Sequence, residues 1–260
     1  MVTTLFLVGA ALWGTLGHRA MALATLEHLT PMAQAELREL LGPDSAVASA
    51  SVWADAYRVT HPETAPWHFV NIPLDAAGYD RATQCREGAC VVEAIRRFER
   101  RLADRALPRE ERIDALRFLI HFVGDLHQPL HAADHGDRGG NRLAVQFFDQ
   151  RRNLHWVWDV GLLEYGEWPE DLLVAELSRR SAELGPQPGT VEAWAEEAWR
   201  IAKERAYPDA IRGSRLEDAY ARPNLEVAVT QLARSALRLA ALLNRALDPP
   251  APPGSSGSPR

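Results

Sequence analysis

The stretch RFLIHFVGDLHQPLH, residues 117–131, decides how the rest of the chain is interpreted. On a helix, His121 and Asp125 are four residues apart, so their side chains lie on the same face. Apolar side chains occupy most of the remaining circumference, which predicts a helix inside the protein. Pro129 ends that helix, and the chain turns to present His131 from another direction. Because a buried imidazole and a buried carboxylate need partners, the stretch predicts either a satisfied ion pair or the centre of a metal site.

The composition is that of a globular protein with a sizeable core. Of 260 residues, 47% are hydrophobic and 25% are charged, and the formal net charge is -6. This negative net charge argues against a protein that binds nucleic acid through a basic surface. It does not exclude a phosphate substrate, because bound divalent cations would offset it. No internal repeat and no linker divides the chain, which predicts one mainly α-helical domain.

The two ends of the chain differ from this domain. Residues 1–12, MVTTLFLVGAAL, resemble the apolar part of a secretory signal, although they are short and carry no basic side chain. A buried first helix or strand is the alternative. Residues 249–260, rich in proline, glycine and serine, are expected to be a disordered tail. No other apolar run approaches the length of about 18 residues that a membrane span needs.

Only two cysteines are present, Cys85 and Cys90. An export compartment would favour a small disulfide loop between them, and a cytosolic location would favour two free thiols. Two thiols are too few for a zinc site built from cysteine.

Apolar residues at helical spacing cover most of the chain. The run at 143–148 is the one clear strand candidate, and it fits half of a small hairpin. Thr30-Pro31 and Gly42-Pro43 mark a helix start and a helix stop. Helices are predicted at residues 18–29, 31–41, 44–58, 91–105, 169–184, 190–205 and 223–247. A further helix is predicted to begin at Pro108 and to end before Pro129, and another to begin after the cap residue Asn153.

The candidate metal ligands are all histidines and aspartates, which suits zinc bound by nitrogen and oxygen. His155 and Asp159 repeat the spacing of His121 and Asp125 on a second helix, and two such pairs favour a site for several ions. The candidate side chains are His18, Asp55, His68, His121, Asp125, His131, His155 and Asp159.

Six motifs in order carry a family resemblance. They are WGTLGH (13–18), WAD (53–55), WHFVN (67–71), HFVGDLHQPLH (121–131), GGN (139–141) and NLHWVWD (153–159). In these motifs the chain resembles the zinc-dependent, single-strand-specific nucleases of fungi, plants and bacteria. The resemblance implies a mainly α fold: a single-domain helical bundle over 13–248 with a small β-hairpin and a cleft for three zinc ions. It also implies a disulfide between Cys85 and Cys90.

The resemblance implies a ligand set for each zinc ion, with Asp125 bridging two of them. The first set is Asp55, His68, His121 and Asp125; the second is His131, His155 and Asp159; the third is His18, Asp125 and the amino and carbonyl groups of Trp13. In the family this tryptophan is the first residue of the mature protein. Here Trp13 has a free amine only if residues 1–12 are removed, and Leu12 is not the small residue usual before a cleavage point.

The same resemblance implies residue roles in phosphodiester hydrolysis. Asp55 would orient or deprotonate a water held between the first and third zinc ions, and Arg58 would stabilise the transition state. Phe69 would stack on a base and Asn71 would hydrogen-bond its edge, which explains a preference for single strands because stacking needs an exposed base. Without the resemblance, Arg58 would fit a solvated arginine at a helix end, and Phe69 a core aromatic.

The predicted protein is therefore a zinc-dependent endonuclease for single-stranded DNA and RNA that leaves 5′-phosphates. The resemblance also implies 3′-nucleotidase activity on 3′-mononucleotides. We expect a monomer that is secreted or periplasmic and does not dock on membranes. Two alternatives remain: a zinc-dependent phospholipase C, which shares the fold and the three-zinc chemistry, and a non-catalytic helical protein stabilised by zinc.

Overall fold

The computed structural model describes residues 14–213 and 215–248, and α-helices form most of this part. The helices are α1 Gly14–Thr25, α2 Pro31–Leu41, α3 Asp44–Ala50, α4 Trp53–Thr60, α5 Arg81–Gln84, α6 Val91–Ala103, α7 Arg109–His127, α8 Leu154–Trp156, α9 Leu162–Tyr165, α10 Glu170–Leu184, α11 Val191–Ile201, α12 Tyr207–Ile211 and α13 Asp218–Leu247. The strands are β1 Ile72–Pro73, β2 Ala133–Asp134, β3 Ala144–Phe147, β4 Gln150–Asn153 and β5 Arg215–Leu216. The prediction of a mainly α-helical fold is confirmed.

Helix α7 forms the centre of the molecule. Every residue from Phe118 to His127 is buried, because α6, α13, α11, α4 and α1 pack around this helix. The prediction of an internal helix is therefore confirmed. A helix enclosed on all sides can hold polar groups only if each finds a partner, and His121 and Asp125 lie in this enclosed segment.

The predicted helix over 44–58 is wrong, because the chain forms two helices that are separated at Ser51 and Val52. In an uninterrupted helix the Ser51 carbonyl would accept a hydrogen bond from the backbone N–H of residue 55. Here it accepts one from Nδ1 of His121 at 2.7 Å. The break thus supplies a partner to a buried histidine, and it starts the helix that carries Asp55.

The long last helix also differs from its prediction. It begins at Asp218 rather than at 223, so Pro223 lies in its second turn. Proline removes one backbone hydrogen bond at that place. Tyr220 and Ala221 are buried within these added residues, and their packing favours the earlier start.

The strands form two small sheets. Strands β3 and β4 are the predicted hairpin, with Ala144 opposite Asn153 and Phe147 opposite Gln150, and β5 adds a parallel strand beside β3. The parallel pair β1–β2 was not predicted, because two-residue strands carry no alternation that a sequence could reveal. This pair holds the segment after Phe69 beside the segment after His131.

The disulfide between Cys85 and Cys90 is present, as predicted, and closes the loop that precedes α6. Among the described residues, no helix combines the length and the apolar character of a membrane span. The predicted leader 1–12, the predicted ligand Trp13 and the predicted tail 249–260 lie outside the described residues.

Candidate metal centre

Four of the predicted ligands converge at the C-terminal half of α7. Nδ1 of His68 and Nε2 of His121 lie 2.9 and 3.0 Å from Oδ2 of Asp125, and 3.1 Å from each other. Oδ1 of Asp55 lies 3.6 Å from the same His121 nitrogen and 3.8 Å from the His68 nitrogen. Ligands at about 2.0–2.1 Å from a tetrahedral ion lie about 3.3 Å apart. The four atoms therefore fit one bound ion.

A second group lies where the chain turns after α7. Nε2 of His131 is 3.5 Å from Oδ1 of Asp159, and Nε2 of His155 is 3.1 Å from Oδ2 of the same carboxylate. The two imidazole rings stack at 5.0 Å. His155 and Asp159 share a helix face across a wider, π-helical turn at Val157–Gly161. These three side chains are close enough to hold one ion together.

The third group is formed around the other oxygen of Asp125. Nε2 of His18 lies 3.3 Å from Oδ1 of Asp125, and Nδ1 of His131 lies 3.4 Å from the same oxygen. The His18 ring stacks on His121 at 4.2 Å, so these two histidines and Asp125 form one cluster. Asp125 therefore lies between all three groups.

Unpaired polar atoms in the cluster support metal binding. Within the described part of the chain, the ring nitrogens of His18, Nε2 of His131 and Oδ1 of Asp55 and Asp125 have no hydrogen-bond partner of ordinary geometry. Buried polar atoms without partners are expensive and rare in proteins. Bound cations would satisfy them, and the His/Asp donor set suits first-row divalent ions. The three groups thus fit a trinuclear metal centre.

Backbone carbonyls orient three of the histidines. Each of these rings has Nδ1 next to a carbonyl oxygen, so the Nδ1–H donates and Nε2 remains for a metal. The partners are Ser51 for His121 at 2.7 Å, His68 for His131 at 3.1 Å, and Gly139 for His155 at 2.7 Å.

Two glycines allow these approaches. A Cβ atom on Gly124 would lie 2.8 Å from Nδ1 of His18, so only glycine lets α1 come this close to α7. Gly139 has φ +62°, and a Cβ atom there would lie 2.4 Å from the carbonyl oxygen of Leu130. Glycine at 139 therefore places the carbonyl that orients His155.

Burial and charge act in opposite directions on the ligands. Burial lowers the pKa of His68 to about 4. Burial also opposes the charged form of His121, but the carboxylates of Asp125 and Asp55 outweigh it and raise the pKa to about 9. Burial raises the pKa of the Asp125 carboxyl, but His121 and His131 outweigh it and hold that pKa well below its usual range. Strongly shifted groups in one cleft are typical of functional sites.

Sequence reasoning missed one buried side chain at this centre. Nε2 of Gln128 donates to Oδ1 of Asp159 at 2.6 Å, and its Oε1 accepts from the backbone N–H of Leu130 at 2.5 Å. Gln128 is fully buried. The only signal in the sequence was its place between two predicted ligands, Asp125 and His131.

His127, to which the sequence assigned no role, connects α7 to the helices behind it. Its Nδ1–H donates to the Val123 carbonyl at 2.7 Å, and its Nε2 accepts from Arg238 of α13 at 2.8 Å. Arg238 also donates to Glu197 of α11 at 2.7 Å. This buried chain fixes the end of the helix that carries Asp125.

The remaining predicted site residues are at least partly exposed and follow the candidate ligands Asp55 and His68 in the chain. Arg58 lies 3.6 Å from Asp55, and both side chains are 22% exposed. The Phe69 ring is 37% exposed, which argues against a core aromatic. Asn71 is also exposed. The Val70 N–H donates to the His131 carbonyl at 2.8 Å, which holds the Phe69 segment against the metal groups.

Fold and site together define a mainly helical protein whose three His/Asp groups fit a trinuclear metal centre, a type of site that activates water for hydrolysis. A model of the S1/P1 nuclease family matches residues 13–248. The chain belongs to this family, and its activity is that of a nuclease, a hydrolase of ester bonds.

Individual relatives agree with this membership. The chain is 31% identical to Endonuclease 2 of Arabidopsis thaliana over 278 residues, which cover 94% of this chain and 95% of that one. It is 36% identical to Nuclease P1 of Penicillium citrinum over 155 residues, 57% of each chain. It is 30% identical to Nuclease S1 of Aspergillus oryzae over 171 residues, 63% of this chain and 59% of that one.

Proposed function

We propose that the protein is a zinc-dependent endonuclease that cleaves single-stranded DNA and RNA to 5′-phosphorylated products and also hydrolyses 3′-mononucleotides. The observation that carries this proposal is the convergence of three His/Asp groups on Asp125, beside an exposed aromatic ring at Phe69. Family membership favours this activity over a phospholipase C. The protein acts as a monomer, outside the cytoplasm, either secreted or periplasmic. The disulfide supports that location, because disulfides persist in oxidising compartments.

The donor chemistry supports zinc as the metal. Imidazole nitrogens and carboxylate oxygens suit zinc, and both cysteines are in the disulfide, so no thiolate competes. The proposed sets are Asp55, His68, His121 and Asp125 for the first ion; His131, His155 and Asp159 for the second; and His18, Asp125 and Trp13 for the third. When bound, zinc ions supply an activated water and charge neutralisation at the phosphate.

Asp55 and Arg58, which are both partly exposed, would accept the proton of the attacking water and stabilise the negative charge of the transition state. Asp55 uses Oδ1 towards its histidine neighbours, which leaves Oδ2 to orient the attacking water and accept its proton. The water oxygen bonds to phosphorus and the bond from phosphorus to the 3′ oxygen breaks. The 3′ oxygen takes up a proton from solvent to become a hydroxyl, and the phosphate stays on the 5′ side. Arg58, held next to Asp55, donates hydrogen bonds to the phosphoryl oxygens as their negative charge increases.

Phe69 and Asn71 would select single strands. A base stacks on the exposed Phe69 ring, and the Asn71 amide hydrogen-bonds its edge. Stacking contributes about 1–3 kcal/mol per base, and a base within a duplex cannot offer its face. Phe69→Ala should therefore raise KM on single strands more than it lowers kcat.

The test is digestion of single-stranded DNA and RNA by zinc-loaded protein, prepared both at full length and beginning at Trp13. Cleavage to 5′-phosphorylated products that a chelator abolishes and zinc restores is expected. Activity in the shorter form alone would support the Trp13 amine as a ligand. Turnover of a phosphatidylcholine analogue in place of nucleic acid would overturn the proposal in favour of a phospholipase. A lack of any turnover would leave the zinc-stabilised structural protein.

A further inference from the structure

Three exposed arginines next to the second metal group have no acidic partner. Arg138, Arg142 and Arg152 are all exposed, and none forms an ion pair with a carboxylate within the described ranges. Elsewhere on the surface, arginines such as Arg179 and Arg180 are paired with glutamates. We call these three guanidinium groups the arginine rim. The carboxylates of the same loop, Asp134 and Asp137, accept hydrogen bonds from the backbone N–H groups of Arg138 and Gly140.

The backbone places two members of the arginine rim beside His155. The Gly139 carbonyl accepts from Nδ1 of His155 at 2.7 Å, and Arg138 directly precedes this glycine. The Leu143 carbonyl accepts from the N–H of Leu154 at 2.9 Å, and Arg142 directly precedes Leu143. Each arginine is therefore one residue away from a backbone contact with His155 or its neighbour.

The third member is fixed by an aromatic ring. The Arg152 guanidinium lies over Trp156, the residue after His155, at 4.5 Å from the ring centre, and donates to Gln150 at 2.5 Å. Residues opposite each other in the hairpin share a face, and Arg152 is opposite Val145. A guanidinium held over a ring keeps its N–H edges available to an anion.

The neighbouring Arg151 points to the other face of the same hairpin. It is opposite Gln146, which is also opposite Arg215 in β5. Arg215 is paired with Glu217 at 2.9 Å. The side chains of Arg151 and Arg152 thus carry the same charge on opposite faces of the hairpin, so Arg151 serves as a control for Arg152.

His155 is the accessible ligand of its group. Its exposed fraction is 7%, against 1% for His131 and 2% for Asp159. The second metal group is therefore nearest to solvent at His155, the residue that the segments of the arginine rim adjoin. A strand bound across the metal groups and continuing past His155 would bring its phosphates to guanidinium groups that form no ion pair with a carboxylate of the described residues.

We propose that the arginine rim binds the sugar–phosphate backbone of a single strand beyond the linkage that is cleaved. The proposal rests on the nuclease function proposed above and extends it to the length of the substrate. Contacts to phosphates are independent of base sequence and depend on salt. Long single strands are then better substrates than dinucleotides, and this advantage is lost at high salt.

The test compares two probes, the twelve-nucleotide strand (dT)12 and the dinucleotide dTpdT, with zinc-loaded protein over a range of NaCl concentrations. For the triple variant R138Q/R142Q/R152Q, kcat/KM on (dT)12 at low salt should fall about tenfold. The slope of log kcat/KM against log salt should become less steep by about 2, or roughly 0.7 for each lost phosphate contact. On dTpdT, whose single phosphate is the linkage that is cleaved, the variant should equal the wild type within about twofold.

The control variant R100Q/R151Q/R200Q removes the same charge from three exposed arginines outside the rim. It should keep the wild-type value and salt slope on both probes. An equal loss in the control would show that net charge alone matters and would overturn the proposal, as would an equal loss on dTpdT in the rim variant. Failure of the wild type to cleave either probe would instead contradict the nuclease function and, with it, the rim.

Discussion

At the scale of single residues, Gln128 orients a candidate metal ligand although it is not a ligand itself. Gln128 donates to Oδ1 of Asp159 from a fully buried position. A carboxylate held by a fixed donor presents its other oxygen in one orientation, and loss of such a partner weakens metal binding about 10- to 100-fold. Gln128 is not itself a predicted ligand, so a substitution can remove its hydrogen bond to Asp159 and leave the ligands in place.

Gln128→Leu should therefore lower the affinity of the protein for one of its three zinc ions. The apolar side chain keeps the volume and removes the amide, so Asp159 loses the hydrogen bond from Gln128. Competition with a chromogenic chelator measures the affinity of each ion, and one should weaken by about 10- to 100-fold while two stay as in the wild type. Gln146→Leu, which removes a half-buried amide from the hairpin, is the matched control. Three unchanged affinities would contradict the role of Gln128.

Gly124→Ala tests the close approach of α1 to α7. The added methyl group would meet Nδ1 of His18 at 2.8 Å and must push this ring away. Because alanine is a better helix former than glycine by about 1 kcal/mol, the helix itself should not suffer. We expect two zinc ions per chain by elemental analysis instead of three. Retention of three ions would mean that α1 shifts without loss of the ligand.

At the scale of elements, α7 is held in place from behind. The buried chain His127–Arg238–Glu197 joins it to α13 and α11. Burial raises the pKa of Glu197, but Arg238 and Arg234 outweigh it and lower this pKa below its usual value. The contribution of Glu197 to stability is thus complete above its unfolded pKa, about 4.3, and is lost as the pH falls through the lower, folded pKa.

Glu197→Gln should destabilise the protein by about 2–3 kcal/mol at pH 7, because it leaves the Arg238 charge buried without its carboxylate. This corresponds to a melting temperature lower by about 5–10 °C. The difference from wild type should be smaller at pH 3 than at pH 7, because the contribution of the Glu197 carboxylate decreases below its unfolded pKa. Thermal melts at both pH values measure it, with the exposed Glu204→Gln as control. A difference that is equal at the two pH values would contradict the ion-pair explanation.

Local patterns in the sequence predicted most of the elements and the side chains that form the three His/Asp groups, but not the contacts between distant segments. The spacing of His121 and Asp125 placed both on one helix face, where the structure has them. The Ser51 carbonyl that orients His121 comes from 70 residues earlier, and Arg238 lies 111 residues beyond His127. Such pairs leave no periodic signal in either segment, so only the folded chain reveals them.

At the scale of the whole molecule, zinc should contribute to stability as well as to activity. A ligand at 1,000 times its dissociation constant stabilises the folded state by about 4 kcal/mol per site. Zinc added to the metal-free protein should therefore raise the melting temperature by about 8 °C or more. Magnesium, which prefers oxygen ligands and water, should leave it unchanged. An equal shift with both metals, or none with zinc, would contradict the His/Asp centre.

The position of α13 has a consequence for the cell that makes this nuclease. The helix that packs behind α7 and supplies Arg238 is the last described helix of the chain, and it leaves the ribosome after every ligand has been synthesised. Until α13 packs against it, the helix that carries Asp125 lacks one of the helices that bury it. We therefore expect an incomplete chain not to assemble the centre, and the nascent polypeptide to be harmless to the messenger RNA that encodes it.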